Sequence, residues 1–474
     1  MKVLLTGATG YIGKRLLPVL VEQGYEVVCC VRDKNRFNPS ESVRSKIQIV
    51  EVDLLDAESF KKIPLDIDGA FYLVHSMSSS GDYSALEKKC ALNFREAMNK
   101  TQVKHVVYLS GIVNEKSLSP HLTSRKNVEI ELKRGTYNFT SIRSGIIIGA
   151  GSASFEIIRD LVEKLPIMIA PKWLKTKSQP IGITDVIRFL NQSLFNTKTY
   201  NQEFDVGGPD VFSYKDILDI YGKARGLKRT FIIVPVMTPR LSSYWLYFVT
   251  STAYELAVAL VDSMKVEVVC KDKRLETLLD IQPEKYEVSL RKAFSKIQSN
   301  QIVSSWKDSL VRSGQTSLNI SDFIRVPRFG CYKDVQTQVC PSRSECLDRI
   351  WQIGGETGWY YANLLWRFRG FIDKIFGGVG LRRGRTNKNK LAAGDVVDFW
   401  RVLYANKKEG KLLLFAEMKL PGEAWLEFKM DGNTLIQTAT FRPIGLLGRL
   451  YWFSVLPFHS FIFKGMIKEL TELK

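Results

Sequence analysis

The chain is poor in cysteine and histidine, with seven and four among 474 residues. Thiols so sparse, two of them adjacent in an apolar run (Cys29, Cys30), do not make a disulfide framework. Cys331, Cys340 and Cys346 fall near one another without a C-x-x-C hook, so no metal site is expected. Acidic residues are also short, 49 against 68 lysines and arginines, for a formal charge of +19. No stretch interleaves arginine with aromatics or carries zinc spacing, so no nucleic-acid module is expected and solvated lysine surface is the simplest account. Nor does an uninterrupted apolar run reach the ~20 residues that a spanning helix needs. Residues 241–264 are broken by Glu255 and Asp262, and residues 450–463 contain Pro457 and His459. Both read as buried helices, a peripheral membrane contact being the other reading of the second. The glycine motif that begins at Thr6 occupies the place of a signal peptide. A cytoplasmic location is therefore expected, with the inner face of the membrane as the alternative.

What is present is a globular composition, 45% hydrophobic and 25% charged, in a chain long enough for two or three domains. Its most informative run is Thr6-Gly7-Ala8-Thr9-Gly10-Tyr11-Ile12-Gly13, after the apolar Val3-Leu4-Leu5 and before a helical pattern (Leu16, Leu17, Val19, Leu20). Strand, glycine turn and helix in that order form a pyrophosphate cradle. Gly7 makes the tight turn, Gly10 lets backbone approach the phosphates, and Gly13 lets the helix pack closely. The helix amino end adds N–H groups and a positive dipole.

Short apolar strands then alternate with helices: strands at 26–31, 47–52, 70–74, 105–109 and 139–143, helices at 83–99 and 120–134. That alternation predicts an α/β, doubly wound parallel sheet of the Rossmann kind. Residues 149–236 loosen into a small substrate lobe, and the first domain extends to 300. A polar break makes 301–321 the expected linker. From 322 to 474 the grammar changes. A helix at 341–353 precedes strands at 396–403, 411–418, 424–430 and 434–441, and a helix from about 446 closes the chain. An α+β helix-grip cup is expected there.

The end of the second strand decides the cofactor. Arg32, Lys34 and Arg36 stand where an NAD site usually places a carboxylate, and cations there suit a 2′-phosphate. NADP is preferred and NAD stays open, because Asp33 could turn inward and hold a ribose. Asp53 and Leu54, after the third strand, are placed to meet the adenine edge, although Asp53 could equally cap the next helix. Tyr11 covers the phosphates or simply packs. His75 is read as shaping the cofactor edge.

These residues resemble the extended and atypical short-chain dehydrogenase/reductases, through TGATGYIG (6–13), VDLLD (52–56), YLVHSM (72–77), VVYLSG (106–111), SIRSGIIIG (141–149) and FDVGGPD (204–210). The likeness is greatest to the YbjT-type, NmrA-like subgroup and extends to the Rossmann accessory subunit of respiratory complex I. The second half resembles that subgroup's attached domain of unknown function, with GGETGWYYAN (354–363) and GLRRGR (380–385), and is placed by pattern among START/Bet v 1-like folds.

The resemblance implies a nicotinamide nucleotide and an oxidoreductase in which a Tyr-x-x-x-Lys pair and a strand serine serve the carbonyl. Ser110 stands in the serine place. His121 and Arg125 stand where the tyrosine and lysine belong, and this departure leaves two readings. His121 is a substitute acid, or the chain holds the nucleotide without catalysis, since arginine cannot pass a proton. The aromatics of the second half (Trp351, Trp359, Tyr360, Tyr361, Trp366, Phe399, Trp400, Trp425, Trp452) either pack a core or line a cavity for an apolar small molecule.

Overall fold

Residues 3–5 and 27–31 are apolar without alternation, as strands covered on both faces must be. In the computed structural model they are the adjacent strands β1 (Lys2–Leu5) and β2 (Glu26–Val31). The structure describes residues 1–34, 37, 39, 41–74, 83–113, 119–234, 258, 261–298, 326, 331–380 and 390–472. The chain divides into two compact units, one of Met1–Lys34 and Pro39–Trp306, the other chiefly Lys307–Lys474. The expected linker at 301–321 lies outside the described residues.

The first unit is built on a seven-stranded parallel sheet. Its further strands are β3 (Ile47–Glu51), β4 (Gly69–Tyr72), β5 (His105–Gly111), β6 (Asn138–Ser144) and β7 (Gln202–Val206). The order is 7-6-5-4-1-2-3, so the strand order reverses between β1 and β4, where ligands bind in such sheets. Helix α1 (Gly13–Glu22) buries Leu16, Leu17, Leu20 and Val21. Helices α2 (Tyr83–Met98) and α3 (Pro120–Leu132) pack against each other. Phe94, Met98, Val128 and Leu132 from these helices join one core with Tyr72, Tyr108 and Phe139 of the sheet. The smaller lobe has its own core around Phe155, Trp173, Tyr221 and Tyr286. It also contains a parallel pair, Ile167–Pro171 with Thr230–Val234, that the sequence reading did not foresee.

The second unit is an antiparallel sheet of six strands. They are β8 (Tyr332–Val339), β9 (Val396–Val397), β10 (Trp400–Asn406), β11 (Lys411–Ala416), β12 (Gly422–Asp431) and β13 (Thr434–Pro443). The order 8-13-12-11-10-9 puts β8, which the sequence reading missed, beside the last strand. Among the described residues, helices α4 (Arg343–Ile350), α5 (Asn363–Ile375) and α6 (Gly445–Thr471) join this sheet, and α6 packs on β8 and β13. Trp359, Trp366, Phe399 and Trp400 cluster with ring centroids 4.9–6.4 Å apart, within the core. Asp398, at φ 52°, accepts a 2.8 Å bond from the Trp359 indole N–H.

One expectation is overturned here. The segment 450–463 is helical but not buried: only 17% of the apolar window in Leu446–Thr471 is enclosed. Phe463, Met466, Ile467 and Leu470 enter the core, whereas Leu450, Phe453, Phe458 and Phe461 face outward. Apolar content fixed the helix without fixing which part of it would find a partner. The other candidate, 241–264, lies almost wholly outside the described residues.

Candidate functional site: a glycine cradle at the sheet edge

The turn between β1 and α1 has the geometry the sequence requires. Gly7 adopts φ +69°, and a Cβ there would lie 2.6 Å from the Leu73 carbonyl oxygen. A Cβ on Gly13 would meet the Gly7 carbonyl oxygen at 2.2 Å, so α1 lies directly on the turn. Gly10, exposed, donates its N–H to the Gly7 oxygen at 2.8 Å and leaves the outer side of the loop without a side chain. Thr9 is exposed and Ile12 half-buried as the residue before the first turn of α1. That turn carries no acidic residue and Ile12 makes no side-chain cap, so its positive end is available to an anion. A pyrophosphate fits this cradle.

Thr6 was passed over in the sequence. Its hydroxyl, 1% exposed, donates to Phe71 O at 2.9 Å and accepts from Leu73 N at 3.1 Å, tying the turn to β4. Tyr11 packs rather than covering the loop. Its ring lies under the Arg15 guanidinium at 3.9 Å, its phenol is directed at Gly149, and burial pushes its pKa up to about 12. Arg15 also donates to Tyr11 O and Ala150 O.

At the end of β2, Arg32 is exposed and Asp33 is turned inward, 5% exposed. Asp53 holds its own turn, its carboxylate accepting from Leu55 N at 3.0 Å. The cap of the following 3-10 turn is Asp56, so the capping reading of Asp53 is corrected by three residues. Leu54 is buried, with its carbonyl accepting from Asn93 at 2.9 Å. His75 and Arg36 lie outside the described residues.

Ser110, near the carboxyl end of β5, is buried, and its Oγ forms no hydrogen bond of ordinary geometry among the described residues. Arg125 on α3 is half-buried and donates to the Tyr108 phenol at 3.4 Å. Burial raises the pKa of that phenol, and the Arg125 charge opposes the rise. His121 is half-buried in the first turn of α3, after the cap Ser119, rather than in a surface loop. Arg125 and Tyr108 are thus brought together across β5 and α3.

Residues 7–151 match the NAD(P)H-binding family model, and residues 330–466 match a protein family of unknown function, DUF2867. Among curated relatives, the chloroplast divinyl chlorophyllide a 8-vinyl-reductase of Arabidopsis thaliana is 22% identical over 255 residues, covering 50% of this chain and 60% of that protein. The photosystem II assembly factor Ycf39 of Trieres chinensis is 24% identical over 250 residues, covering 51% and 75%. The chain therefore spans less than two thirds of the first of these. Among solved structures, the NADPH-dependent quinone oxidoreductase QOR2 of Escherichia coli, complexed with NADPH, aligns with TM-score 0.51 and 16% identity, over 62% of this chain and 99% of that one. The triphenylmethane reductase of Citrobacter sp. aligns with the same score and identity, over 62% and 100%. Cradle, sheet order and these likenesses lead to one conclusion: the chain joins an NAD(P)-binding domain, similar in fold to short-chain reductases, to a DUF2867 domain.

Proposed function

We propose that this protein is an NADPH-dependent oxidoreductase acting on an apolar carbonyl or quinone. Bound reduced nicotinamide would supply a hydride. Ser110 carries the reading: a buried hydroxyl at the carboxyl end of β5, beside the Tyr108 phenol whose pKa it helps to lower, orients an acceptor oxygen by donating to it. His121 supplies the proton that balances the hydride, and Arg125, permanently charged, holds a ribose or the Tyr108 phenol but moves no proton. Exposed Arg32 supports NADPH over NADH through its reach to a 2′-phosphate. This reading includes a peripheral membrane contact at which an apolar acceptor would be met; an apolar cavity in the second unit and a reductase among the relatives support it.

A second reading is favoured by the missing Tyr-x-x-x-Lys pair and by the assembly factor among the relatives. In that reading the chain binds nucleotide and reports its occupancy to a partner, without turnover. Consumption of NADPH against a panel of quinones and carbonyls separates the two. The oxidoreductase turns over at least one acceptor, with Ser110→Ala and His121→Phe each lowering kcat/KM by about 100-fold. Saturable NADPH binding with no turnover on any acceptor leaves the second reading.

A further inference from the structure

Within the second unit, helices α5 and α6 each bury one face and leave the other apolar. On α5, Leu364, Phe368, Phe371 and Ile375 recur at i, i+4, i+7 and i+11 and are 56–77% exposed. The buried side of the same helix carries Trp366, Gly370 and Asp373. On α6, Leu446, Leu447, Leu450, Phe453, Phe458 and Phe461 are 56–74% exposed. Large apolar side chains on a monomer's surface are ordinarily scattered, and a run of this size marks an interaction surface.

The exposed charges carried by α5 and α6 themselves are of one sign, the Asp334 carboxylate beside His459 being buried. Arg367, Arg449 and Lys464 are exposed. The sole carboxylate of α5, Asp373, is 1% exposed and accepts from Gly380 N and Lys419 N. Helix α6 has no acidic residue before Glu469. A second copy docked through the same face would set these cations against each other, whereas anionic headgroups neutralise them. A cavity of about 320 Å³ reaches this face, since Phe368 and Phe458 both line it and are 60% and 58% exposed. Its other walls include Trp400, Trp425, Trp452 and Ile462, chemistry suited to a lipophile arriving from acyl chains.

We infer that the exposed faces of α5 and the amino-terminal part of α6 dock this unit on an anionic lipid bilayer. The helices lie in the interfacial plane, their apolar side chains among the upper acyl carbons and Arg367, Arg449 and Lys464 at the headgroups. Helix α6 does not cross the bilayer, because Phe463, Met466, Ile467 and Leu470 are locked into the domain core. The inference deepens the membrane contact of the functional reading and stands whether or not hydride is transferred.

Flotation of the full chain with phosphatidylcholine vesicles, with and without phosphatidylglycerol, tests it. The protein rises with the anionic vesicles, and the bound fraction falls as salt is raised. Phe371→Ser combined with Leu447→Ser lowers binding more than ten-fold, as does Arg367→Glu combined with Arg449→Glu. Both variants keep wild-type NADPH binding and unfolding temperature, since all four side chains are exposed. Absence of flotation with either vesicle overturns the proposal, as does flotation that the variants leave unchanged. A dimer that dissociates in Phe371→Ser/Leu447→Ser, without vesicle binding, overturns it in favour of a second copy. Failure here leaves NADPH turnover untouched, so the two readings fall separately.

Discussion

Gly13 and Gly7 are in backbone contact: a Cβ on the first would come 2.2 Å from the carbonyl oxygen of the second. Neither neighbour is a flexible side chain, so the turn or the helix must move to admit a methyl group. A Cβ on Gly10 would lie 3.1 Å from the same Gly7 oxygen, a tight contact that a shift of a few tenths of an ångström relieves. The two glycines therefore weigh differently on the fold. Gly13→Ala is expected to cost about 1–3 kcal/mol and to weaken NADPH binding. Gly10→Asp is expected to lower the unfolding temperature less than Gly13→Ala does while abolishing NADPH binding by charge and bulk. Thermal unfolding with and without NADPH reads both.

His105 gives a pH dependence that does not involve the nucleotide. Its Nδ1 accepts from Phe195 N at 3.0 Å, while Nε2 lies 2.8 Å from the Thr140 hydroxyl, which donates onward to Thr199 O at 2.7 Å. That arrangement holds a neutral ring, and burial lowers its pKa from 6.5 to about 4. The unfolded chain binds the proton first, so this contribution is complete above pH 6.5 and is lost as pH falls toward 4. At its fullest it is about 3 kcal/mol. Urea unfolding of wild type and His105→Gln should show a stability difference that shrinks through that window. A constant difference would remove the histidine as the cause.

Arg32 sets the cofactor preference in this account. Exposed at the end of β2, it contributes little to the core, so Arg32→Ala should fold normally. Its Kd for NADPH should rise about ten-fold, or ~1.4 kcal/mol, with the Kd for NADH unchanged. Equal weakening of both would assign the preference elsewhere.

In the second unit Arg401 and Glu417 form a buried ion pair at 2.8 Å, 1% and 2% exposed, and Arg401 also donates to Gly394 O at 2.7 Å. Removing one partner takes an opposite charge away from a buried ion. Arg401→Met should cost about 3–5 kcal/mol, and Arg401→Met combined with Glu417→Leu should recover much of it. Unfolding midpoints of the single and double variants measure the difference.

The first unit was legible because its signals are local: the glycine spacing of 7, 10 and 13, and strands such as 26–31 that are apolar after their first residue. Thr6 was not legible, since its two bonds are to residues 65 and 67 positions away. The pairing of 167–171 with 230–234 is hidden for the same reason, being made by residues far apart in the chain. Strand β8 is half-exposed and polar (YKDVQTQV), so period-two apolarity does not announce it. Helix α6 was found, but its exposure was not, because apolar composition reads the same against a core and against lipid. Asp33 turned inward while Arg32 stayed outward, an alternative that adjacent residues on a strand end leave open until side chains are placed.

The most direct test titrates NADPH and NADH separately into the purified chain at low salt, followed by the protein's tryptophan fluorescence. A saturable change, tighter for NADPH and absent in Gly10→Asp, is the expected result. A response that never saturates, or one that Gly10→Asp reproduces, would contradict a nucleotide held by the β1–α1 cradle.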